Sequence, residues 1–480
     1  MLNKFKQKYH KMSAPAKAAI WFTFCNILQR GISMITVPIF TRILDTEEYG
    51  IFNVYLSWMN VLIIFTSLNL YYGVFNNSML KYENDRDRYT SSMQGLVCTI
   101  TIGTFLVYLV CHKQVNSFIG LSTHFMLFMF IEMLVSPALQ FWSARQRFEF
   151  KYKLLVGITV FKSILNPVVG ILAIVITKRG AMARVASMVA IECLICGSIM
   201  IYQFVKGNSF YNKEYWKYAI GFNLPLLPHY LSGTILNQGD RIMINAYVGT
   251  SEVAIYSVAH NVGMLMQLFT NAINSSFTPW FYTSMRDKKY ADIKRVTNLL
   301  LLLMSVLVIG LMFFAPEVVK LFAPDEYYSA IYVVPPISAS VYFIFMYVLF
   351  SNVEFYFEEN KFIMIASIIA ALLNVCLNAV FIPVYGFLAA GYTTLFSYGV
   401  YCFAHYIFSK IVCKKHIGLA NLYDSKFILL LSLIVVSTTV LFNFLYGFFV
   451  IRYIIALFFG IIIVIKRNLI IDTIKTIRSR

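Results

Sequence analysis

The sequence predicts an all-α polytopic membrane protein with about 14 transmembrane helices of roughly 20 residues each. Three observations predict it. Charged residues make up 13% of the 480-residue chain, against about 25% in a typical soluble domain. Hydrophobic residues make up 59%, and the mean hydropathy is +0.70. The apolar residues fall in runs of membrane-spanning length rather than in short strands. This composition excludes a soluble globular protein, and also a disordered or fibrous one, since those are polar or repetitive.

The spans are predicted at 17–41, 51–75, 90–111, 119–142, 154–177, 181–205, 217–247, 251–283, 294–314, 329–350, 361–384, 388–409, 427–446 and 449–465. The seventh and eighth are long enough to include interfacial helix. The first follows a basic segment without a small-residue cleavage site, so it is expected to stay as a span.

Charge sets the orientation. With the N-terminus in the cytoplasm, 30 of the 40 Lys and Arg fall on the cytoplasmic side. The outer side receives Arg42, Lys113, Lys178, Arg179, Arg184, Lys320 and Arg452, and three cations stay inside spans. This positive-inside bias predicts that both termini are cytoplasmic. It also explains the net charge of +18 without nucleic acid as a partner. Trp21, Trp142, Trp216 and Trp280 sit at predicted cytoplasmic span ends, as interface anchors do. The outer loops are short, and the longest, about 315–328, is too small for a domain.

An internal repeat divides the chain. Residues 45–54 (DTEEYGIFNV) align without gaps to 249–258 (GTSEVAIYSV), with Thr46/Thr250, Glu48/Glu252, Ile51/Ile255 and Val54/Val258 identical. Residues 179–187 match 385–393 more loosely, at nearly the same offset. The repeating unit is therefore six spans. Six is even, so both copies keep one orientation and should be related by an axis along the membrane normal. The expected organisation is an N-terminal lobe at 1–210, a C-terminal lobe at 211–410, and a linker with two extra helices at 411–480.

Three stretches carry a family resemblance. VPIFTRILDTEEYGIFNVY at 37–55 combines Pro, Thr-Arg, an acidic stretch and Tyr-Gly; FNLPLLPHYLSGTILNQGDRIMINAYVG covers 222–249; IPVYGFLAAGYTT covers 382–394. Together they resemble the Wzx-type oligosaccharide-unit flippases. These form the polysaccharide biosynthesis and export family of the multidrug/oligosaccharidyl-lipid/polysaccharide exporter superfamily. The resemblance implies two six-helix lobes around a central cavity, a polyprenyl-diphosphate-linked oligosaccharide as substrate, and alternating access. It implies the bacterial inner membrane, and a pathway such as O-antigen, capsule or exopolysaccharide assembly, with polymerase and chain-length proteins as partners.

The candidate working residues are the charges inside spans. Each costs about 2.5–3.5 kcal/mol at the bilayer centre, so it should face water, an opposite charge or a charged ligand. Arg30, Lys162 and Arg241 are the cations, and a diphosphate is an anion that Arg can grip with two hydrogen bonds. Asn26 with Arg30, and Asn237 with Arg241, are i,i+4 pairs that share a helix face. Both faces are expected to line the cavity and bind substrate; the alternative is structural pairing. Lys162 is either a third substrate cation or the partner of a buried acid. Glu132, Asp240 and Glu192 are the acids. Each is either a coupling site for H⁺ or Na⁺ or a partner for a cation, although Asp240 and Arg241 are adjacent and should point apart. Pro225 and Pro228 should break span 7 early, freeing carbonyls for a gating element; packing alone is the alternative.

The eight cysteines include Cys193 and Cys196 as C-x-x-C, but without a second pair or His, so no metal is expected. No other cofactor is expected beyond a coupling H⁺ or Na⁺, and there is no Walker, zincin or G-x-S-x-G motif. A drug or small-solute exporter on the same superfold is the alternative function. An enzyme such as a polymerase or acyltransferase would be expected to carry a large outer loop with polar catalytic residues, which this chain lacks.

Overall fold

The computed structural model describes residues 12–419, 421–455 and 457. Among them are 17 α-helices and four 3₁₀ turns, with no strand. The amino-terminal bundle contains α1 (Ala14–Ile43), α2 (Thr46–Ser67), α3 (Gly73–Lys81), α4 (Arg86–Ile119), α5 (Thr123–Phe148), α6 (Tyr152–Thr177) and α7 (Gly180–Gly207). The carboxy-terminal bundle contains α8 (Lys213–Asn223), α9 (Leu227–Tyr247), α10 (Thr250–Gly263), α11 (Gln267–Arg286), α12 (Tyr290–Phe313), α13 (Ala315–Phe322), α14 (Val334–Tyr356), α15 (Asn360–Tyr385), α16 (Phe387–Ile417) and α17 (Ser425–Leu445). The predicted span at 449–465 lies mostly outside the described residues; the chain is helical at 449–455. There Arg452 pairs with Glu317 of α13.

Among the described residues, nine helices are long and apolar enough to cross a membrane. The other predicted spans within the described residues correspond to α1, to α9, to α10 with α11, and to α16, where Asn, Gln, Ser, Thr and Tyr dilute the apolar run. The spanning helices turn Leu, Ile, Val and Phe outward. On α6 these include Phe161, Ile164, Leu172, Val175 and Ile176, all exposed and suited to lipid tails.

Local chemistry explains the breaks. Asp45 caps α2, its carboxylate accepting from the Glu48 backbone N–H at 2.7 Å. Pro225 sits in a 3₁₀ turn, Leu224–Leu226, and Pro228 near the start of α9, so span 7 is two helices, as the prolines lead one to expect. Span 8 is also two helices, α10 and α11, separated by a 3₁₀ turn at Met264–Met266 with no proline in it. Span 2 ends early, at Ser67, where Leu68 and Asn69 adopt positive φ.

The two bundles meet along α2, which packs on both α9 and α10. Both copies of the first repeat begin a helix: Thr46 starts α2 and Thr250 starts α10. These helix starts touch. A Cβ at Gly50 would lie 1.9 Å from the Thr250 carbonyl oxygen, so only glycine permits this approach. At the same end the Thr41 hydroxyl donates to the Phe322 carbonyl at 2.9 Å, Arg42 donates to the Leu321 carbonyl at 3.3 Å, and Tyr49 meets Tyr327 edge-on. This end of the molecule, which carries the 44–46 and 247–250 turns, is closed.

Candidate functional site

Arg30 stands in the gap between the bundles. It is exposed, and it lines a cavity of about 170 Å³ with Ser33 and Val37 of its own helix and with Asn261, Met264 and Phe322 of the opposite bundle. No carboxylate lies within 4 Å of it among the described residues. Asn26, one turn earlier, is also exposed.

The matching face on α9 differs from expectation. Asn237 is exposed, but Arg241 is only 7% exposed. Its Nε donates to the Ser257 hydroxyl at 2.9 Å, and Nη1 donates to the Asn237 carbonyl at 3.1 Å and to Gln238 Oε1 at 3.2 Å. Gln238 Oε1 also accepts from Ser57 of α2 at 3.2 Å. Arg241 thus folds under Asn237 into the seam between the bundles. It is held by neutral acceptors, with no acid paired to it among the described residues.

Asp240 points the other way, as adjacent residues on a helix do, and it is 2% exposed. Its Oδ2 accepts from the Tyr256 hydroxyl and from the Thr394 hydroxyl at 2.6 Å; Oδ1 accepts from Asn378 Nδ2 at 2.7 Å and Asn374 Nδ2 at 3.4 Å. Thr393 in turn donates to Asn378 Oδ1. Four helices, α9, α10, α15 and α16, supply this cage. A carboxylate held by hydroxyls and amides, with no cation paired to it, can take up a proton or a small cation without breaking an ion pair.

The amino-terminal acids differ from each other. Glu192 pairs with Lys162 at 2.6 Å and also accepts from the Cys196 thiol at 2.9 Å. Of the two readings for Lys162, the ion-pair partner matches this geometry. Among the described residues Glu132 has no cation within 4 Å; it accepts from the Tyr55 hydroxyl at 2.8 Å. Replacing Glu192 with Gln would strand Lys162. We expect a loss of about 3 kcal/mol, the low end for breaking a buried pair because Lys162 still borders a cavity, read as a lowered melting temperature in detergent.

Near Pro225 and Pro228, Asn223 Nδ2 donates to the Leu68 carbonyl at 2.8 Å, tying the break in α8–α9 to the end of α2. His229 meets the Ser367 hydroxyl at 2.9 Å.

Three features escaped the sequence reading. Arg184 is not in an outer loop: α7 begins at Gly180, and the side chain turns inward to 6% exposure. Glu354 and His405 form a fully buried pair at 2.8 Å, and Glu354 lies beyond the predicted end of its span because α14 runs on to Tyr356. The Asn374/Asn378 spacing of four was the available signal for the Asp240 cage.

Comparison with known proteins agrees with this architecture. Residues 225–380 match the MatE family. A 166-residue stretch is 25% identical to a protein of the Lsg locus of Haemophilus influenzae, covering 33% of this chain and 40% of that protein. Over 415 residues the chain is 21% identical to the protein named probable low-salt glycan biosynthesis flippase Agl15 of Haloferax volcanii, covering 83% of this chain and 84% of that one. The fold is shared with the lipid II flippase MurJ in its inward closed conformation, at a TM-score of 0.67 and 14% identity, covering 95% of this chain and all of that one. Residues 16–285, more than half of the chain, match the family described as polysaccharide biosynthesis protein, and the chain belongs to that family.

Proposed function

We propose that this chain flips a polyprenyl-diphosphate-linked oligosaccharide from the cytoplasmic to the outer leaflet by alternating access, for assembly of a surface polysaccharide. The observation that carries this reading is Arg30, a cation without an acidic partner, exposed on the wall of a cleft whose far end is closed. A diphosphate head group answers that charge, and the exposed amides of Asn26 and Asn237 suit sugar hydroxyls. Arg241, held behind the α2–α9 seam, would become available as the seam parts.

In this reading the closed end faces outward, both termini lie in the cytoplasm, and the membrane is the bacterial inner membrane. The breaks at Leu224–Leu226 and Met264–Met266 act as the bending points of α8–α9 and α10–α11. Binding of H⁺ or Na⁺ at Asp240, with Glu132 as a second site, couples the cycle to an ion gradient. Polymerase and chain-length proteins of the same pathway would take the product. An exporter of organic cations would instead need acid in the cleft, and the Arg30 cavity has none among its lining residues.

The test is complementation of a strain lacking this chain. Arg30→Ala and Arg241→Ala are each expected to cut surface polysaccharide at least tenfold while the protein level in the membrane holds. Gln238 keeps the Ser57 hydroxyl as a partner after the second change, so folding should survive. Normal polysaccharide from both variants would remove the cleft from the proposal.

A further inference from the structure

A second cavity, of about 380 Å³, runs inside the amino-terminal bundle between α1, α5, α6 and α7. That volume lies within the roughly 300–1,000 Å³ of ordinary ligand sites. Its polar wall includes Gln29, Ser33, Gln140, Lys162, Asn166 and Arg184, and no carboxylate is among its lining residues. Arg147, exposed, closes the wall at one end.

Arg184 is the unusual member. Its Nη2 donates to Asn166 Oδ1 at 2.7 Å, but its buried Nε and Nη1 have no hydrogen-bond partner among the described residues. The rings of Phe40 and Phe52 lie 4.6 and 4.8 Å from the guanidinium carbon. They can attract the charge through their faces, yet they offer no acceptor to the in-plane N–H groups. Gly170 leaves the space beside Nη1, where a Cβ would come to 3.0 Å. The neighbouring acids are engaged elsewhere: Glu192 holds Lys162, and Glu132 holds the Tyr55 hydroxyl. A buried guanidinium with two idle donors is costly to leave so, and the chain has set it at a cavity lined by amides and hydroxyls.

We propose that this cavity is an anion site for a phosphoryl group, with Arg184 as its principal ligand and Asn166, Ser163 and Gln140 as supporting donors. Ser33 borders both this cavity and the Arg30 cleft, but Arg184 does not line the cleft, and the proposal does not depend on what the cleft carries. The same phosphoryl chemistry could come from free diphosphate, a polyprenyl diphosphate or a phospholipid head group.

The full-length protein would be purified and titrated with inorganic diphosphate, with a short-chain polyprenyl diphosphate, and in nanodiscs with or without phosphatidylglycerol. We expect saturable, salt-sensitive binding of at least one, and which one binds names the source. Arg184→Gln should weaken it at least tenfold. Asn166→Asp should weaken it as much while raising the melting temperature, because a fixed carboxylate then occupies the place of the anion. A purely structural Arg184 would gain the same stability with no binding to lose. Absence of saturable binding to all three probes, or equal binding in parent and both variants, overturns the inference. If lipid-linked sugar still crosses the membrane in cells, that result leaves the cleft reading standing; if binding holds and crossing does not occur, only the cleft reading falls.

Discussion

Gly50→Val is expected to hold the closed end of the molecule open and to reduce transport to background. The Cβ position at residue 50 lies 1.9 Å from a backbone carbonyl oxygen of Thr250 and 2.7 Å from its carbon. A backbone carbonyl cannot swing aside as a side chain tip can, so α2 and α10 must separate. The contacts around that point then go too: Thr41 with the Phe322 carbonyl, and Tyr49 with Tyr327. The apolar clusters around Leu139 and Trp142 in one bundle and around Tyr398 and Tyr401 in the other include no residue of this contact, so the protein should still fold. A cysteine at Asn245, which packs beside Gly120 of the other bundle at this end, would report the change in a background without the native cysteines. An impermeant maleimide should label it at least tenfold faster with Gly50→Val than without. Unchanged labelling and normal polysaccharide would mean that this contact is not a gate.

Asp240→Asn is the second large effect. Four donors converge on the Asp240 carboxylate from α10, α15 and α16. An amide in its place turns an NH₂ group toward donors and loses the charge that strengthens each bond. Hydrogen bonds to a charged group contribute about 1.5–3 kcal/mol each, and only part of that is recovered by rotating the hydroxyls. We expect a loss of about 2–3 kcal/mol on that scale, with the protein still folded. Transport should stop, because Asn offers no site for a proton and only a weak one for a cation. A folded Asp240→Asn protein with normal transport would make the cage a structural joint rather than a coupling site.

The parts of this molecule that could be read in the sequence are those that depend on local pattern. Apolar runs of bilayer length gave the helices, because lipid leaves a buried backbone few other solutions. Pro225 and Pro228 marked the break before α9, since proline removes a helical donor. The break at Met264–Met266 carries no such residue, and only tertiary packing around α10 and α11 sets it. Arg184 was counted with the outer-side charges because it lies in the first turn of the predicted span 181–205; a long side chain can reach inward from there, and this one does. Arg241 was singled out as an intramembrane charge, but the sequence could not tell an open wall from a seam. The Asp240 cage draws on residues 134–154 positions away in the chain. No spacing rule reaches that far, although the Asn374 and Asn378 pair inside an apolar span was a visible trace of it.

The most direct test of the flippase proposal is made in cells that lack this chain. Polyprenyl-linked sugars would be probed with a membrane-impermeant glycosidase before and after the membrane is opened. Single units that are protected in intact cells and cleaved only after opening are the predicted result, with the parent chain restoring their exposure. Single units already exposed in the intact mutant cells would show that crossing does not need this protein, and would contradict the proposal.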